Sequence, residues 1–145
     1  GSEELIETLI QFCRSYIYTT AMSPAMAEAL RKSLQLVRKD NWRREYLAQL
    51  IQRFRNHCAD LGLDVLASET PVQAVVLGEA ETALEASQKL LEKDIYVTAI
   101  RPPTVPVGSA RLRITFSAIH TESQFQKLLD SLEEVAQINN RASSK

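Results

Sequence analysis

The sequence predicts an α+β protein, in which a small, mostly antiparallel sheet is covered by helices on one face and is preceded by a long helix. Two observations predict this fold class. Apolar residues recur at helical spacing over roughly 20 residues from Trp42 to Leu61. After Gly62, short runs rich in β-branched residues alternate with helical runs, a pattern typical of a sheet with helices packed against it.

The first forty residues are expected to form a helix, an extended segment and a second helix. Apolar residues at helical spacing predict a helix over residues 3–15, and the β-branched and aromatic run at 15–20 (SYIYTT) predicts extended backbone. Ser23 followed by Pro24 is typical of a helix start, and this helix should end near Lys39. Its expected buried stripe contains Met26, Leu30, Leu34 and Val37.

The long helix that follows has clear signals at both ends. Asp40 or Asn41 can cap its first turn, and Gly62 is well placed as its C-terminal cap. The stripe expected to face the core contains Trp42, Tyr46, Leu50, Phe54, Cys58 and Leu61. This is the longest helix that the sequence predicts.

Strands and one helix are expected in the middle of the chain. The expected strands are a short edge strand within residues 63–67 and longer strands over 72–77 and 95–100. The run 80–93 predicts a helix whose inward residues are Leu84, Leu90 and Leu91. On its outer face, Glu85 and Lys89 should form an ion pair one helical turn apart.

The last strand and helix complete the predicted domain. Residues 111–117 alternate, so the apolar side chains of Leu112, Ile114 and Phe116 should share one face of the sheet. Thr121 with Gln124 resembles a capping box that opens the last helix. Its apolar stripe contains Phe125, Leu128, Leu129, Leu132 and Val135. The polar tail from Gln137 is expected to fray.

The stretch Ile100–His120 carries the strongest functional signal. Three prolines stiffen a loop that contains Thr104, and Arg111 and Arg113 follow on the polar face of the strand. A guanidinium group binds a carboxylate through two parallel hydrogen bonds, so the stretch indicates an anion site. The alternative is a sheet whose polar face is merely solvated, with a surface turn before it. His120, at the strand-to-helix junction, could also touch a ligand.

A second candidate anion site lies near the start of the chain. Thr19 and Thr20 closely precede the helix start at Ser23, and the free N–H groups of a helix N-terminus favour phosphate. The alternative is ordinary capping and strand composition.

Bulk properties argue against several function classes. The 145 residues include 17 basic and 18 acidic side chains, and a formal net charge of −1 argues against a general nucleic-acid or membrane-surface binder. No apolar run approaches the ~20 residues needed to span a bilayer. Cys13 and Cys58 are expected to be reduced thiols, in no metal-ligand pattern, in a cytoplasmic protein. No phosphate loop or nucleophile elbow is present, so a complete catalytic set is not expected.

Two segments resemble a known family. The run IRPPTVPVGSARLRITFSAIHTE is similar to the C-terminal signature of the 8-amino-7-oxononanoate synthases, a branch of the α-oxoamine synthases. The run YIYTTAMSPAMAEAL resembles the segment that follows the cofactor-lysine region of that family. The resemblance implies the C-terminal part of a fold-type I pyridoxal-phosphate transferase. Residues 1–40 would be the tail of the large cofactor domain with a connecting helix, and residues 41–145 the small α+β domain.

The resemblance also implies an activity. The parent would be a homodimeric, cytoplasmic acyltransferase of biotin biosynthesis that condenses L-alanine with pimeloyl-CoA, or with a pimeloyl carrier protein, using pyridoxal 5'-phosphate. Arg113 would hold the carboxylate of the amino acid and Thr104 would contact substrate. Thr19 and Thr20 would reach the cofactor phosphate, and Arg111 would have a structural or supporting role.

The resemblance leaves alternatives open. No lysine in this sequence stands in the motif that forms the Schiff base in the family, so we expect a C-terminal piece that is inactive alone. A glycine-using relative, of the 2-amino-3-ketobutyrate CoA ligase type, would share the fold. A non-catalytic α+β module that binds a small carboxylate or a partner protein would also fit the residues.

Overall fold

The computed structural model describes residues 1–143, and the chain divides into two compact units, Gly1–Asp40 and Asn41–Lys145. The first unit contains helices α1 (Glu3–Phe12), α2 (Arg14–Ile17) and α3 (Pro24–Lys39). The second contains α4 (Asn41–Asp60), β1 (Asp64–Val65), β2 (Val72–Gly78), α5 (Ala80–Leu91), β3 (Thr98–Ile100), β4 (Ala110–Thr115) and α6 (Glu122–Ser143).

In the first unit α1 and α3 begin with a serine cap, but none of the three helices buries a side chain. The hydroxyl oxygen of Ser23 accepts the N–H of Met26 at 3.3 Å, and α3 ends at Lys39, which confirms both predicted ends of this helix. The prediction that its apolar stripe is buried is wrong for this unit, since Met26 and Leu34 are 56% and 58% exposed. Among residues 1–40, nothing covers that stripe.

The prediction of extended backbone at residues 15–20 is wrong in part. The first predicted helix ends early, at Phe12, and residues 14–17 form the short helix α2. The N–H of Tyr18 donates to the carbonyl of Arg14 at 3.0 Å, which closes that turn. β-branched and aromatic residues favour strands because their side chains fit the pleated surface of a sheet. The four strands of the sheet lie between residues 64 and 115, in the other unit, so residues 15–20 have no neighbouring strand within their own unit.

Helix α4 ends as its sequence predicts. Gly62 adopts φ +70, a left-handed conformation that other residues rarely take, and the N–H of Leu63 donates to the carbonyl of Cys58 at 2.9 Å. The predicted stripe is fully buried in its central part, at Leu50, Phe54 and Cys58. Trp42, in the first turn, is exposed.

The four strands form one antiparallel sheet in the order β1-β2-β4-β3. Helices α4, α5 and α6 pack their buried residues against one face, so the predicted α+β class is confirmed. The residues of β4 that face these helices are Ala110, Leu112 and Ile114, all buried. We call the opposite face the outer face; it carries Arg111 and Arg113 of β4, and none of its residues is buried.

Helix α5 turns a different side toward the sheet than the sequence predicts. Leu90 is buried as expected, but Leu84 and Leu91 are exposed. The side chains that face the core are Thr82, Ala83, Ala86 and Leu90, and the two alanines let the helix lie close to the strands. The predicted Glu85–Lys89 pair is also wrong. Lys89 pairs with Glu92 at 2.8 Å and Glu85 with Arg141 at 3.2 Å.

The end of the chain is more helical than the sequence predicts. The capping box is confirmed, because the N–H of Thr121 donates to Oε1 of Gln124 at 2.9 Å and the N–H of Gln124 donates to Oγ1 of Thr121 at 3.3 Å. The predicted stripe of α6 is buried throughout. The helix then continues past Gln137, where fraying is expected, because Ile138 is buried in the core. Two residues of the predicted tail, 144 and 145, lie outside the described part.

Three further findings concern the described residues only. None of the helices in residues 1–143 is both long and apolar enough to cross a membrane. Within the same range, no three His, Cys, Asp or Glu side chains come together as a metal site would require. Cys13 and Cys58 are both free thiols.

Candidate anion-binding site

Arg113 projects from the outer face of the sheet. It lies in the middle of β4, in register with Thr98 of β3 and Ala74 of β2. Its side chain is exposed and makes no hydrogen bond or ion pair with any described residue. Because both neighbours in register are small, they leave the guanidinium group room to receive a planar anion.

Arg111 shares the outer face but is fixed. Its Nε donates a hydrogen bond of 3.0 Å to the carbonyl oxygen of Ser109, and the residue is half-buried. It stands in register with Val76 and Ile100, two β-branched residues. These contacts tie Arg111 to the end of the proline loop.

The loop between β3 and β4 is held by its own backbone. The N–H of Thr104 donates to the carbonyl of Arg101 at 3.0 Å. Ser109 donates twice to the carbonyl of Pro106, from its N–H at 3.2 Å and from its hydroxyl at 2.6 Å. Gly108 adopts φ +76, which allows the chain to return into β4. Thr104 is exposed on this constrained loop.

Thr104, Arg111 and Arg113, the site residues predicted in the second unit, follow one another from the proline loop into β4. The loop with Thr104 joins β4 at its first residue, Arg111 comes next, and Arg113 lies about 7 Å further along the strand on the same face. The carboxylate that the sheet register places in the same row as Arg111 belongs to Asp64, two strands away. The face therefore carries an excess of positive charge.

Thr19 and Thr20 belong to the first unit. They lie in the irregular segment between α2 and α3, and their exposed hydroxyl groups make no hydrogen bond with a described residue. Ser23, just after them, uses its own hydroxyl oxygen to cap α3. The two threonine hydroxyls are therefore available to an external acceptor such as a phosphate.

One arginine of this region has no role in the sequence-based predictions. Arg101 begins the loop and is exposed, and its guanidinium group has no hydrogen-bond or ion-pair partner among residues 1–143. Its signal in the sequence is its position directly before the Pro102–Pro103 pair, in the loop that the prolines stiffen. The outer face and its loop thus carry three guanidinium groups, of which two are unpaired.

His120 lies beyond the end of β4 that is opposite the proline loop, and it makes hydrogen bonds of its own. It follows the opposite end of β4, where its Nδ1 accepts the N–H of Ser117 at 3.3 Å. Its carbonyl oxygen accepts the hydroxyl of Tyr46 at 2.9 Å. The ring lines a separate cavity of about 520 Å³ between β4 and α6.

Comparison with known proteins identifies one family and several similar enzymes. Residues 1–132 match the family described as aminotransferase class I and II. The 8-amino-7-oxononanoate synthase of Pseudomonas savastanoi pv. phaseolicola is 58% identical over 134 residues, which are 92% of this chain and 34% of that protein. The enzyme of the same name from Stutzerimonas stutzeri shows the same identity and coverage. The chain therefore spans about a third of the length of these relatives.

Solved structures share the fold. The 8-amino-7-oxononanoate synthase from Francisella tularensis superposes with a TM-score of 0.82 at 30% identity, over 99% of this chain and 41% of that one. A serine palmitoyltransferase from Sphingomonas wittichii gives 0.81 at 25% identity, over 97% and 36%. One from S. paucimobilis, solved with a bound PLP–myriocin aldimine, gives 0.78 at 26% identity, over 92% of this chain and 34% of that one.

Proposed function

The chain belongs to the aminotransferase class I and II family, and from this we propose that it is the C-terminal part of a pyridoxal-phosphate-dependent acyltransferase. The proposed reaction condenses L-alanine with pimeloyl-CoA, or with a pimeloyl carrier protein, to give 8-amino-7-oxononanoate for biotin biosynthesis. The names of relatives that match 92% of the chain at 58% identity support this choice. In this proposal residues 1–40 end the large cofactor domain and residues 41–145 form the small domain of a cytoplasmic homodimer.

The unpaired guanidinium group of Arg113 on the outer face is the observation that carries the proposal. An amino acid substrate brings a carboxylate, and Arg113 can bind it through two parallel hydrogen bonds without first breaking a bond of its own. Holding the carboxylate on a rigid strand fixes the orientation of the bond to be broken, which is a positioning effect. Thr104, on the constrained loop beside the same face, would contact the substrate through its hydroxyl.

The residues present fit one end of the cofactor. Thr19 and Thr20 offer unpaired hydroxyl donors just before α3, where a phosphate can be held. When bound, pyridoxal phosphate supplies an electron sink for the negative charge that develops at the amino acid's α-carbon. The described lysines are Lys32, Lys39, Lys89, Lys93 and Lys127, and none is buried. We therefore assign the covalent anchor of the cofactor to a part of the parent outside these residues.

The first experiment uses the proposed full-length parent enzyme. Arg113→Ala should lower kcat/KM for alanine by about 10²-fold, because a charged carboxylate loses its paired donor, while the KM for the thioester stays unchanged. Arg141→Ala is the matched control, since Arg141 makes only an exposed ion pair with Glu85. An alanine dependence that Arg113→Ala leaves intact would contradict the proposed role.

A second experiment tests the expected inactivity of the 145-residue chain. Incubation with pyridoxal phosphate followed by borohydride should leave no stoichiometric lysine adduct by mass spectrometry. A saturable adduct on one lysine would show that the chain anchors the cofactor itself.

The fold alone does not select the amino acid, since a serine palmitoyltransferase superposes almost as well as the oxononanoate synthase. A glycine- or serine-using enzyme is therefore the second candidate. Thioester consumption with alanine, glycine and serine should decide between them, and we expect alanine to give the highest kcat/KM.

A further inference from the structure

A cavity opens where the sheet stops pairing, at the end of β4 away from the proline loop. The last pair of the β3–β4 ladder is Thr98 with Arg113. Continuing the register would pair Tyr96 with Thr115, but residues 95–97 form no strand. The gap between this segment and β4, closed by the first turns of α6, has a volume of about 520 Å³. Cavities of roughly 300–1,000 Å³ are the size that small ligands occupy.

The inner wall of this cavity is apolar. It includes Val97, Phe116, Phe125 and Leu128, all of which belong to the buried core. The rings of Phe116 and Phe125 meet edge to face with centroids 5.8 Å apart. A flat or short apolar group placed here would replace water against aromatic and aliphatic surface, which is favourable.

The rim of the cavity presents hydrogen-bond donors. Nδ1 of His120 accepts a backbone N–H, so the proton of the neutral ring is on Nε2. Oε1 of Gln124 accepts the N–H of Thr121, which leaves the amide NH₂ without a partner among the described residues. Lys127 makes a single exposed ion pair, with Asp94 at 3.3 Å; Asp94 is 92% exposed and also contributes to the lining of the cavity. Such an exposed pair is weak and can exchange its anion.

We propose that this cavity binds a small monocarboxylate with an apolar body of about six carbons, such as an aromatic or short-chain aliphatic acid. The body lies against Phe116 and Phe125, and the carboxylate accepts hydrogen bonds from Lys127, Gln124 and His120. The site is distinct from the outer face, since its apolar wall is on the side covered by helices. It does not depend on the proposed function of the parent enzyme.

The test uses the 145-residue chain and benzoate as the probe, followed by amide NMR. Benzoate should cause saturable shifts at Thr115, His120 and Gln124, with no comparable change at Arg113 or Arg101. Benzamide, which has the same ring without the charge, should bind about ten-fold more weakly. Hexanoate should compete with benzoate, because the proposal requires only an apolar body and a carboxylate.

Variants identify the carboxylate partner. Lys127→Met should weaken benzoate binding about five- to ten-fold, and Gln124→Glu should weaken it further while keeping the oxygen that caps α6. Lys93→Met is the matched control, because Lys93 forms a similar ion pair with Glu134 at 2.8 Å outside the cavity. The proposal is overturned if Lys127→Met binds benzoate as the parent chain does, if benzamide binds equally well, or if the shifts centre on the arginine face.

A second cavity provides an internal comparison. It has a volume of about 600 Å³, and its charged lining residues are Glu79, Glu81, Glu85 and Arg141. Arg141 is paired with Glu85, so the cavity keeps an excess of negative charge and should repel an anion. Benzoate should leave the amides of these residues unshifted. Shifts there equal to those at His120 would show non-specific binding and would also overturn the proposal.

Discussion

The Nε of Arg111 is hydrogen-bonded to the carbonyl oxygen of Ser109, so one of the two arginines on the outer face is fixed at the end of the loop. Arg113, two residues along the same strand, has no such bond with a described residue. Of these two side chains on the same surface, therefore, only Arg113 has a guanidinium group that is free of bonds to described residues and able to bind a ligand. The fixed one holds the loop in place, and the unpaired one can bind an anion at little cost to the fold.

Substitution of these two arginines should separate stability from binding. Arg113→Ala should change the free energy of unfolding of the 145-residue chain by less than about 0.5 kcal/mol, since an exposed, unpaired side chain contributes little. Arg111→Ala should cost about 1 kcal/mol through the lost bond to Ser109. Urea unfolding followed by circular dichroism measures both. A loss above ~1 kcal/mol for Arg113→Ala would mean that this side chain is structural.

Gln73 should be critical to the fold. It is fully buried on the helix-covered face, where its amide nitrogen donates to the carbonyls of Ser68 at 3.1 Å and Thr70 at 2.7 Å. Its side-chain oxygen accepts a hydrogen bond of 3.0 Å from Nη1 of Arg55. Gln73→Leu should cost about 2–3 kcal/mol in urea unfolding, because the carbonyls of Ser68 and Thr70 lose this donor and Arg55 keeps only its bond to the carbonyl of Leu66.

The control for this experiment is another glutamine of the same unit. Gln52 is exposed on α4 and its amide donates only to Asn56, at 3.0 Å. Gln52→Leu should change the free energy of unfolding by less than about 0.5 kcal/mol. Equal losses for the two variants would contradict the role given to the Gln73 network.

Cys58 should make the stability fall at high pH. Burial raises the pKa of this thiol from about 9 to about 12. Between these values the unfolded chain loses the thiol proton while the folded chain keeps it, so the free energy of unfolding decreases as pH rises, by about 1.4 kcal/mol per pH unit. Below pH 9 the contribution is complete and constant.

Cys58→Ala isolates this effect. The variant is less stable at every pH, but the difference in free energy of unfolding from the parent chain should narrow as pH rises above about 9.

The two thiols, Cys13 and Cys58, should also differ in reactivity. A hydrogen bond from Ser15 lowers the pKa of Cys13, which should react with a disulfide reagent well before Cys58 does. Equal reaction rates at neutral pH would contradict the burial argument.

Hydrogen exchange should distinguish the two units. None of the helices α1, α2 and α3 buries a side chain, whereas α4 and β4 belong to the hydrophobic core. Amides of α3 should therefore exchange at least about 10²-fold faster than those of α4, because little buried surface opposes their opening. Exchange followed by mass spectrometry measures this. Comparable protection in the two helices would show that the first unit is stabilised by contacts that its helices do not make internally.

The sequence predicts the second unit much better than the first. The signals at Gly62, at Thr121 with Gln124 and along residues 111–116 all act locally, and the structure confirms each of them. In α5 the larger leucines suggest the wrong inward side, since close packing on the sheet favours the alanines at 83 and 86. In the first unit an apolar stripe predicts burial, but burial needs a partner surface that a periodic pattern does not specify.

In the candidate site, too, some features follow from local sequence patterns and others do not. Alternation along β4 is sufficient to place Arg111 and Arg113 on one face, and the structure confirms this. The bond that fixes Arg111 depends on how the loop returns at Ser109, which side-chain periodicity does not encode. The cavity at His120 depends on where pairing between two strands stops, a property of the assembled sheet that no single segment reveals.

The exposed stripes on α1 and α3 have a practical consequence for anyone who purifies this chain. The dye ANS, which fluoresces when it binds exposed hydrophobic surface, should show increased fluorescence with the folded chain, because Leu9, Leu30 and Val37 are exposed. A bright signal would not mean a molten state. The same aliphatic side chains would make the isolated polypeptide adhere to columns and attract holdase chaperones in the cell.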